Sequence, residues 1–419
     1  MVKVKQFPKD KGLDHTLDLL NEGYAFIGHR AYRYQTDFFE TRLMGKKMIC
    51  MTGIDGARIF YSPKLFERKG VMPHRVKETL IGKNSIQGLD GAAHKNRKAL
   101  LMHFTTKEQE KKLVKLATKA WEEAIEEWTH KDEIILIVEV EKILCKAACE
   151  WVGIPLAEEQ VEEVARALGE MIFGFGKLGV EHWKGRISRN KLEAWLTHMV
   201  KDVREGKMKV KQDSILYEMS HYIDETGDVL EPQVVAVELL NLLRPIVAVA
   251  VYIAFMTLAL YENPAYKVKL ALGDEGDKER FNEEVRRYYP FAPFIGAKVR
   301  KNFIWRGYAF RQGTLVLLDL YGTNHDERLW KEPYTFNPER YKKEKKNLYN
   351  FMPQGGGKLK GHRCIGEDIT MAMMHIALDV LVDKITYELP PQDLSYSLSE
   401  MPTLPASGII MRKIKRKSY

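Results

Sequence analysis

Apolar residues recur every three or four positions through Lys107 to Lys131, Glu133 to Trp151, Gln160 to Met171, Lys191 to Glu205 and Glu367 to Ile385. That spacing predicts amphipathic helices. Three β-rich pieces, Lys47 to Thr52, Asn302 to Trp305 and Thr314 to Leu320, predict a small accessory sheet. The fold class is therefore mainly α with a small β region. The longest helical candidate runs from Pro232 to Glu262, and Pro245 to Leu260 within it carries no charge. A helix apolar on every side belongs in a core or a membrane. A membrane span needs about 20 apolar residues, and extending the run backwards meets Arg244 and Asn241, both costly in lipid. A buried core helix is predicted, with no membrane span. Pro232 suits the first helical position, and the carboxylates of Glu231 and Glu238 suit the positively polarised early turns.

No repeat, low-complexity tract or Pro/Gly/Ser linker divides the 419 residues, so one domain spanning residues 1–419 is expected. The stretch Met1 to Pro8 has no apolar segment after its lysines, which predicts neither a secretory signal nor an anchor and implies a cytoplasmic protein. Four cysteines (Cys50, Cys145, Cys149, Cys364) are too few and too scattered for a disulfide framework. Reduced thiols follow. The formal charge of +9 is spread along the chain and interleaved with acids, so nucleic acid is not expected as a partner. The densest basic run, Arg412 to Lys417, either touches an anionic partner or stays solvated, and the second reading is preferred.

The segment from Phe351 to Gly366 delivers Cys364 through a glycine-rich loop to the start of the periodic run at Glu367. Glycines let the backbone turn closely against a flat ligand, and N–H groups near a helix start hydrogen-bond a thiolate and depress its pKa. Such an environment suits a metal–sulfur bond. Cys145 and Cys149 lie one turn apart without further Cys or His at zinc-like spacing, so they read as core packing, as does Cys50.

Gly361-His-Arg-Cys364-Ile-Gly366 resembles the heme-binding signature of the cytochrome P450 superfamily. Upstream, Glu284-Val-Arg-Arg287 is similar to the Glu-x-x-Arg pair of that superfamily, and Phe336-Asn-Pro-Glu-Arg340 resembles its Pro-Glu-Arg-Phe segment. The ordered trio implies the cytochrome P450 fold, with heme b (iron protoporphyrin IX) between the long central helix and the helix after the cysteine loop. Cys364 is the implied axial ligand to the iron. Glu284, Arg287 and Arg340 are implied to form a buried network whose role is folding. Gly357 departs from the superfamily, which usually places Phe at that position.

Most members of the superfamily carry an acidic residue followed by Thr on the central helix. Here the stretch reads Asn241-Leu-Leu-Arg244-Pro245, without an acid–alcohol pair. Pro245 removes the hydrogen bond to the Asn241 carbonyl and opens the helix locally. Leu240, Asn241, Val247 and Ala248 share a face with Arg244, and none can neutralise it. A buried, unpaired cation is severely costly. Either a distant acid pairs with Arg244 or an anionic ligand does, and a carboxylate substrate fits the second case.

The Arg-Pro pair, the run Glu284 to Phe291 and the run Leu318 to Asp326 resemble the bacterial fatty-acid peroxygenase branch of the superfamily, a likeness extending from Lys11-Gly-Leu-Asp14 to Leu404-Pro-Ala-Ser-Gly408. It implies hydroxylation of long-chain fatty acids at the α and β carbons by hydrogen peroxide, with some decarboxylation to terminal alkenes and no redox partner. By the same resemblance Arg244 holds the substrate carboxylate, which acts as general acid–base, and Pro245 and Gln87 complete the catalytic set. Gln87 matches a distal position that is Gln in hydroxylating relatives and His in a strongly decarboxylating one, which favours hydroxylation. Ile81 stands where relatives often have Phe, and Ile172, Phe291 and Phe294 are implied to line the acyl channel. His94, His362 and Arg68 are implied to meet the heme propionates, while Arg97 and Lys98 read equally well as a solvated basic face. Two rivals remain open: a reductase-dependent fatty-acid monooxygenase, and a heme-based fatty-acid sensor that does not oxidise.

Overall fold

The computed structural model describes residues 4–224 and 227–417. Met1, Val2 and Lys3, the start of the N-terminal stretch considered above, lie outside them. The main apolar core is helical. It is built from Lys107–Trp128, Leu136–Val152, Val161–Gly174, Val180–Arg204, the central stretch from Pro232 to Glu262, and Glu367–Asp379. Gly174 and Gly185 let two of these helices touch, since a Cβ on Gly185 would come within 2.5 Å of the Glu170 carbonyl oxygen.

The central stretch comprises two helices, Pro232–Val247 and Val249–Glu262, that meet at Ala248. The break follows Pro245 by less than one turn, as expected where proline supplies no N–H to the preceding turn. Val249 to Leu260 is buried throughout. Among the described residues only this stretch is long and apolar enough to cross a membrane, and 83% of its most apolar window is buried inside the protein. Pro232 takes the first helical turn as expected. Glu238 does not serve the helix end: its fully buried carboxylate accepts from Arg97 Nη1 at 2.8 Å and from the Ile86 N–H at 2.9 Å.

A five-stranded sheet packs beside the helices, in the order Phe38–Leu43, Lys46–Met51, Leu315–Asp319, Phe294–Val299, Phe66–Glu67. All pairs are antiparallel except Lys46–Met51 with Leu315–Asp319. Phe303–Trp305 forms a hairpin with Tyr308–Phe310. The helix expected from Glu133 begins only at Leu136, because Glu133–Ile135 is a strand paired with the C-terminal strand Ile410–Arg416. The basic tail is therefore not a free end, although its Arg412, Lys413, Lys415 and Arg416 side chains are solvent-exposed as expected. It is the middle strand of a three-stranded sheet, with Arg412 on Glu133 at 2.6 Å and Arg416 on Glu122 at 2.7 Å. Cys50, Cys145 and Cys149 are buried free thiols, as expected.

Glu284, Arg287 and Arg340 form the expected buried network. Arg287 donates twice to Glu284 at 2.8 Å, and Arg340 Nε donates to the same carboxylate at 3.1 Å. Arg287 also donates to the Asn324 carbonyl, which brings the network beside His325. Burial, then the nearby Arg287 charge, push His325 from 6.5 down to about 3. Between those values the unfolded chain binds a proton that the folded chain refuses, so stability falls as pH drops below 6.5, by up to about 1.4 kcal/mol per pH unit. His325→Gln should flatten this acid slope in denaturant titrations, and an unchanged slope would assign the acid sensitivity elsewhere.

Candidate active site

The cysteine loop and the central helix face each other across a cavity of about 310 Å³. Cys364, Ile365 and Gly366 form one wall; Asn241, Arg244, Pro245 and Val249 form the opposite one; Gln87, His94 and Lys98 close the side. The sequence-derived residues Cys364, Arg244, Pro245, Gln87, His94 and His362 thus meet at one place.

At the sulfur the structure corrects one expectation. Burial raises the Cys364 thiol and Glu367 adds to that, outweighing the Gly366 N–H and the Lys98 and Arg286 charges that favour the thiolate. A cation bound at the sulfur would reverse this balance. The loop geometry also accounts for the missing aromatic. Gly357 has φ +79°, and a Cβ there would lie 2.7–3.0 Å from three Tyr61 side-chain atoms. The Tyr61 hydroxyl accepts the Gly356 N–H at 2.6 Å, so this tyrosine braces the loop from outside. Gly357→Ala should cost about 1–3 kcal/mol through its left-handed backbone alone. Heme retention and the denaturation midpoint would both fall; a variant equal to the parent in both would show that the loop yields freely.

The side wall is mainly cationic, with the acid Asp90 beside it, 3.6 Å from His362 Nε2. The His94 and His362 rings lie against each other, tilted by 33° with centroids 4.0 Å apart. Arg68 lies behind them, off the cavity wall, its guanidinium 4.1 Å from the Phe60 ring centroid and bonded to the Gly296 carbonyl. Asp90 accepts the Arg68 backbone N–H at 2.8 Å, but among the described residues no carboxylate forms an ion pair with the Arg68 guanidinium. Burial, then Lys98, lower His94, and burial, then Arg68, lower His362. A pair of propionates fits this cluster, and the Cys364 sulfur across the cavity fits an iron, so the residues present suit a heme. Arg97 and Lys98 are not a solvated face: Arg97 is bound to Glu238, and buried Lys98 donates to the Arg363 carbonyl at 2.6 Å.

Arg244 is the anomaly of the opposite wall. Its Nη2 reaches Asn241 Oδ1 at 3.4 Å, and its Nε is buried without a partner. Among the described residues no acid pairs with it, because Glu238 is taken by Arg97, Ile86 and Asn241. Burial, then Arg189, push its pKa down to about 9, with Cys364 opposing. The Gln87 Oε1 is likewise buried without a partner. Among the described residues, the distant protein acid for Arg244 that the sequence left open is not found.

Ile81, Ile172, Phe291 and Phe294 do not form the cavity wall. Ile81 offers its carbonyl to Asn241, Ile172 is packed in the helical core, Phe291 stacks on Tyr252 at 4.2 Å, and Phe294 packs beside the sheet. Leu101, Trp151, Leu242, Ile246 and Ile369 supply the apolar lining of the cavity beside Cys364. They sit at ordinary core positions of their helices, so no sequence signal separates them from packing.

The cytochrome P450 family model matches residues 280–412, which hold the buried network and the cysteine loop. Cytochrome P450 26A1 of Danio rerio is 22% identical over 408 residues, covering 87% of this chain and 81% of its own length. Among solved structures, cytochrome P450EX alpha (CYP152N1) with myristic acid is 41% identical, with a TM-score of 0.95 over 99% of this chain and 100% of its own. Cytochrome P450SP alpha (CYP152B1) in complex with (R)-ibuprophen is 38% identical, with a TM-score of 0.93 over 96% and 99%. A variant of cytochrome P450 OleT in complex with arachidonic acid is 32% identical, with a TM-score of 0.95 over 99% and 100%. With a cysteine loop, a buried Glu–Arg–Arg network and full-length similarity all in place, the chain belongs to the cytochrome P450 superfamily, in its CYP152 branch.

Proposed function

We propose that this chain, acting as one catalytic unit, is a hydrogen-peroxide-dependent peroxygenase that hydroxylates long-chain fatty acids at the α and β carbons, with terminal alkenes as a side product. One observation carries the reading: the buried Arg244 guanidinium on the cavity wall, with an unpartnered Nε and no carboxylate paired to it among the described residues. The fatty acids named with two of the similar structures, myristic and arachidonic acid, are of the kind that would supply the missing anion.

A heme b bound through Cys364 would supply the oxidising chemistry, as in other heme-thiolate proteins. His94, His362 and Arg68 would hold its propionates. Arg244 binds the substrate carboxylate through its planar fork, replacing water with a matched counter-ion. That carboxylate then provides the proton relay that the central helix lacks: one oxygen accepts a proton from hydrogen peroxide and returns it to the departing oxygen. Gln87, with a free Oε1, offers a hydrogen-bond acceptor beside the reacting groups. Pinning the head group at Arg244 brings the adjacent carbons toward the Cys364 side of the cavity, which explains the expected α/β selectivity.

The test is to give purified heme protein myristic acid and hydrogen peroxide without NAD(P)H. Hydroxy acids by mass spectrometry are expected. Turnover that appears only with NAD(P)H and a reductase would replace this reading with a monooxygenase. A Soret shift on adding fatty acid, with no product under either condition, would make the protein a sensor.

A further inference from the structure

A second buried guanidinium lies on the sulfur side of the cavity. Arg286 donates Nη1 to Glu283 and Nη2 to Gln354, both at 2.9 Å, while its Nε has no partner. Gln354 Nε2 donates in turn to the Thr370 hydroxyl at 3.0 Å, and that hydroxyl donates to the Gly366 carbonyl at 2.9 Å. Three hydrogen bonds thus tie the guanidinium to the residue whose N–H serves the Cys364 sulfur.

The neighbouring acids are shared. Glu283 also pairs with Lys346 at 2.5 Å, and Glu367, 3.8 Å from Arg286, pairs with Arg363 at 2.6 Å. Lys346 shares Glu283 and Arg363 answers Glu367, while Lys98, on the Arg363 carbonyl, and Arg286 are the two cations that act on the Cys364 sulfur against the one carboxylate of Glu367. Positive charge is in excess around the sulfur. Reducing a heme iron from ferric to ferrous adds one electron to the centre, and a fixed nearby cation in a dry interior favours the more negative state.

We propose that Arg286 is a positioning residue that tunes the heme: its buried charge, fixed through Gln354 and Thr370, draws electron density from the Cys364 sulfur and raises the reduction potential of the iron. This role stands apart from the peroxide reading, because it concerns the resting protein without substrate.

Heme-loaded wild type, Arg286→Leu and Arg286→Lys are to be compared by potentiometric titration without fatty acid. Arg286→Leu should shift the ferric–ferrous equilibrium about tenfold toward ferric, a move of about 59 mV to negative potential for one electron. Arg286→Lys should stay close to wild type, since it keeps the charge. If Arg286→Leu takes up no heme, Gln354→Leu decides: it leaves the charge but frees it from the cysteine loop, and a smaller shift of the same sign is expected. An unchanged potential in the deciding variant, or equal shifts in Arg286→Leu and Arg286→Lys, would overturn the proposal, the latter by showing that packing rather than charge is at work.

Discussion

Arg244→Leu should remove peroxide-driven fatty-acid turnover and at the same time make the substrate-free protein more stable. The two effects share one cause. A buried cation without an acid is a standing cost to the fold, and Leu at this apolar helix position relieves it. The Nε that lacks a partner and the single 3.4 Å contact to Asn241 leave little to lose. For the complex the sign reverses, because the fatty-acid head group would then be buried opposite nothing. Removing one member of a buried pair costs about 3–5 kcal/mol. At about 1.4 kcal/mol per factor of ten, kcat/KM should fall by roughly 10²-fold to 4 × 10³-fold. Denaturant titration of the substrate-free variant and steady-state kinetics check the two halves separately. A variant that is destabilised and still active would mean that Arg244 serves the fold and not the substrate.

Glu284→Gln should have the largest effect on stability. One carboxylate, fully buried, receives bonds from both Arg287 and Arg340 and from the Asn337 N–H at 2.9 Å. Gln keeps the shape but removes the charge, leaving two guanidinium groups without their shared counter-ion. The expected cost, about 3–5 kcal/mol, is a large part of the roughly 5–15 kcal/mol that stabilises a folded protein. The yield of heme-loaded protein and the urea midpoint should both drop sharply. An unchanged midpoint would show that the carbonyls around Arg340, among them Thr335 at 2.9 Å, suffice to hold it.

These features were legible because their signals are local or fall in a recognisable order. The Glu284–Arg287 spacing, the Pro338-Glu-Arg340 segment and the loop to Cys364 can be read directly along the chain, as can Arg244 followed by proline on an apolar helix. What escaped depends on distant partners. Glu238 suggested a helix-dipole role until the fold brought it to Ile86 and Arg97, 152 and 141 positions away. Glu133 continued a helical pattern, but backbone bonding to the C-terminal strand prevails there over local periodicity. The basic tail is held by the same pairing. Helix Val180–Arg204 begins eleven residues before its expected start at Lys191, since its first turns expose Val180, Trp183 and Ile187 and so lack a clean apolar stripe. The thiol of Cys364 shows the same limit in electrostatic form. The Gly366 N–H that favours its charge is a neighbour in sequence, whereas the burial that opposes it comes from the whole fold.

The carboxylate requirement is tested most directly by offering the heme-loaded protein myristic acid and its methyl ester side by side, each with hydrogen peroxide. Esterification keeps the chain but removes the charge that Arg244 would bind and, by capping one oxygen, the basicity needed to carry the proton. Hydroxylated product is expected from the free acid and essentially none from the ester. Comparable turnover of the two would contradict the requirement.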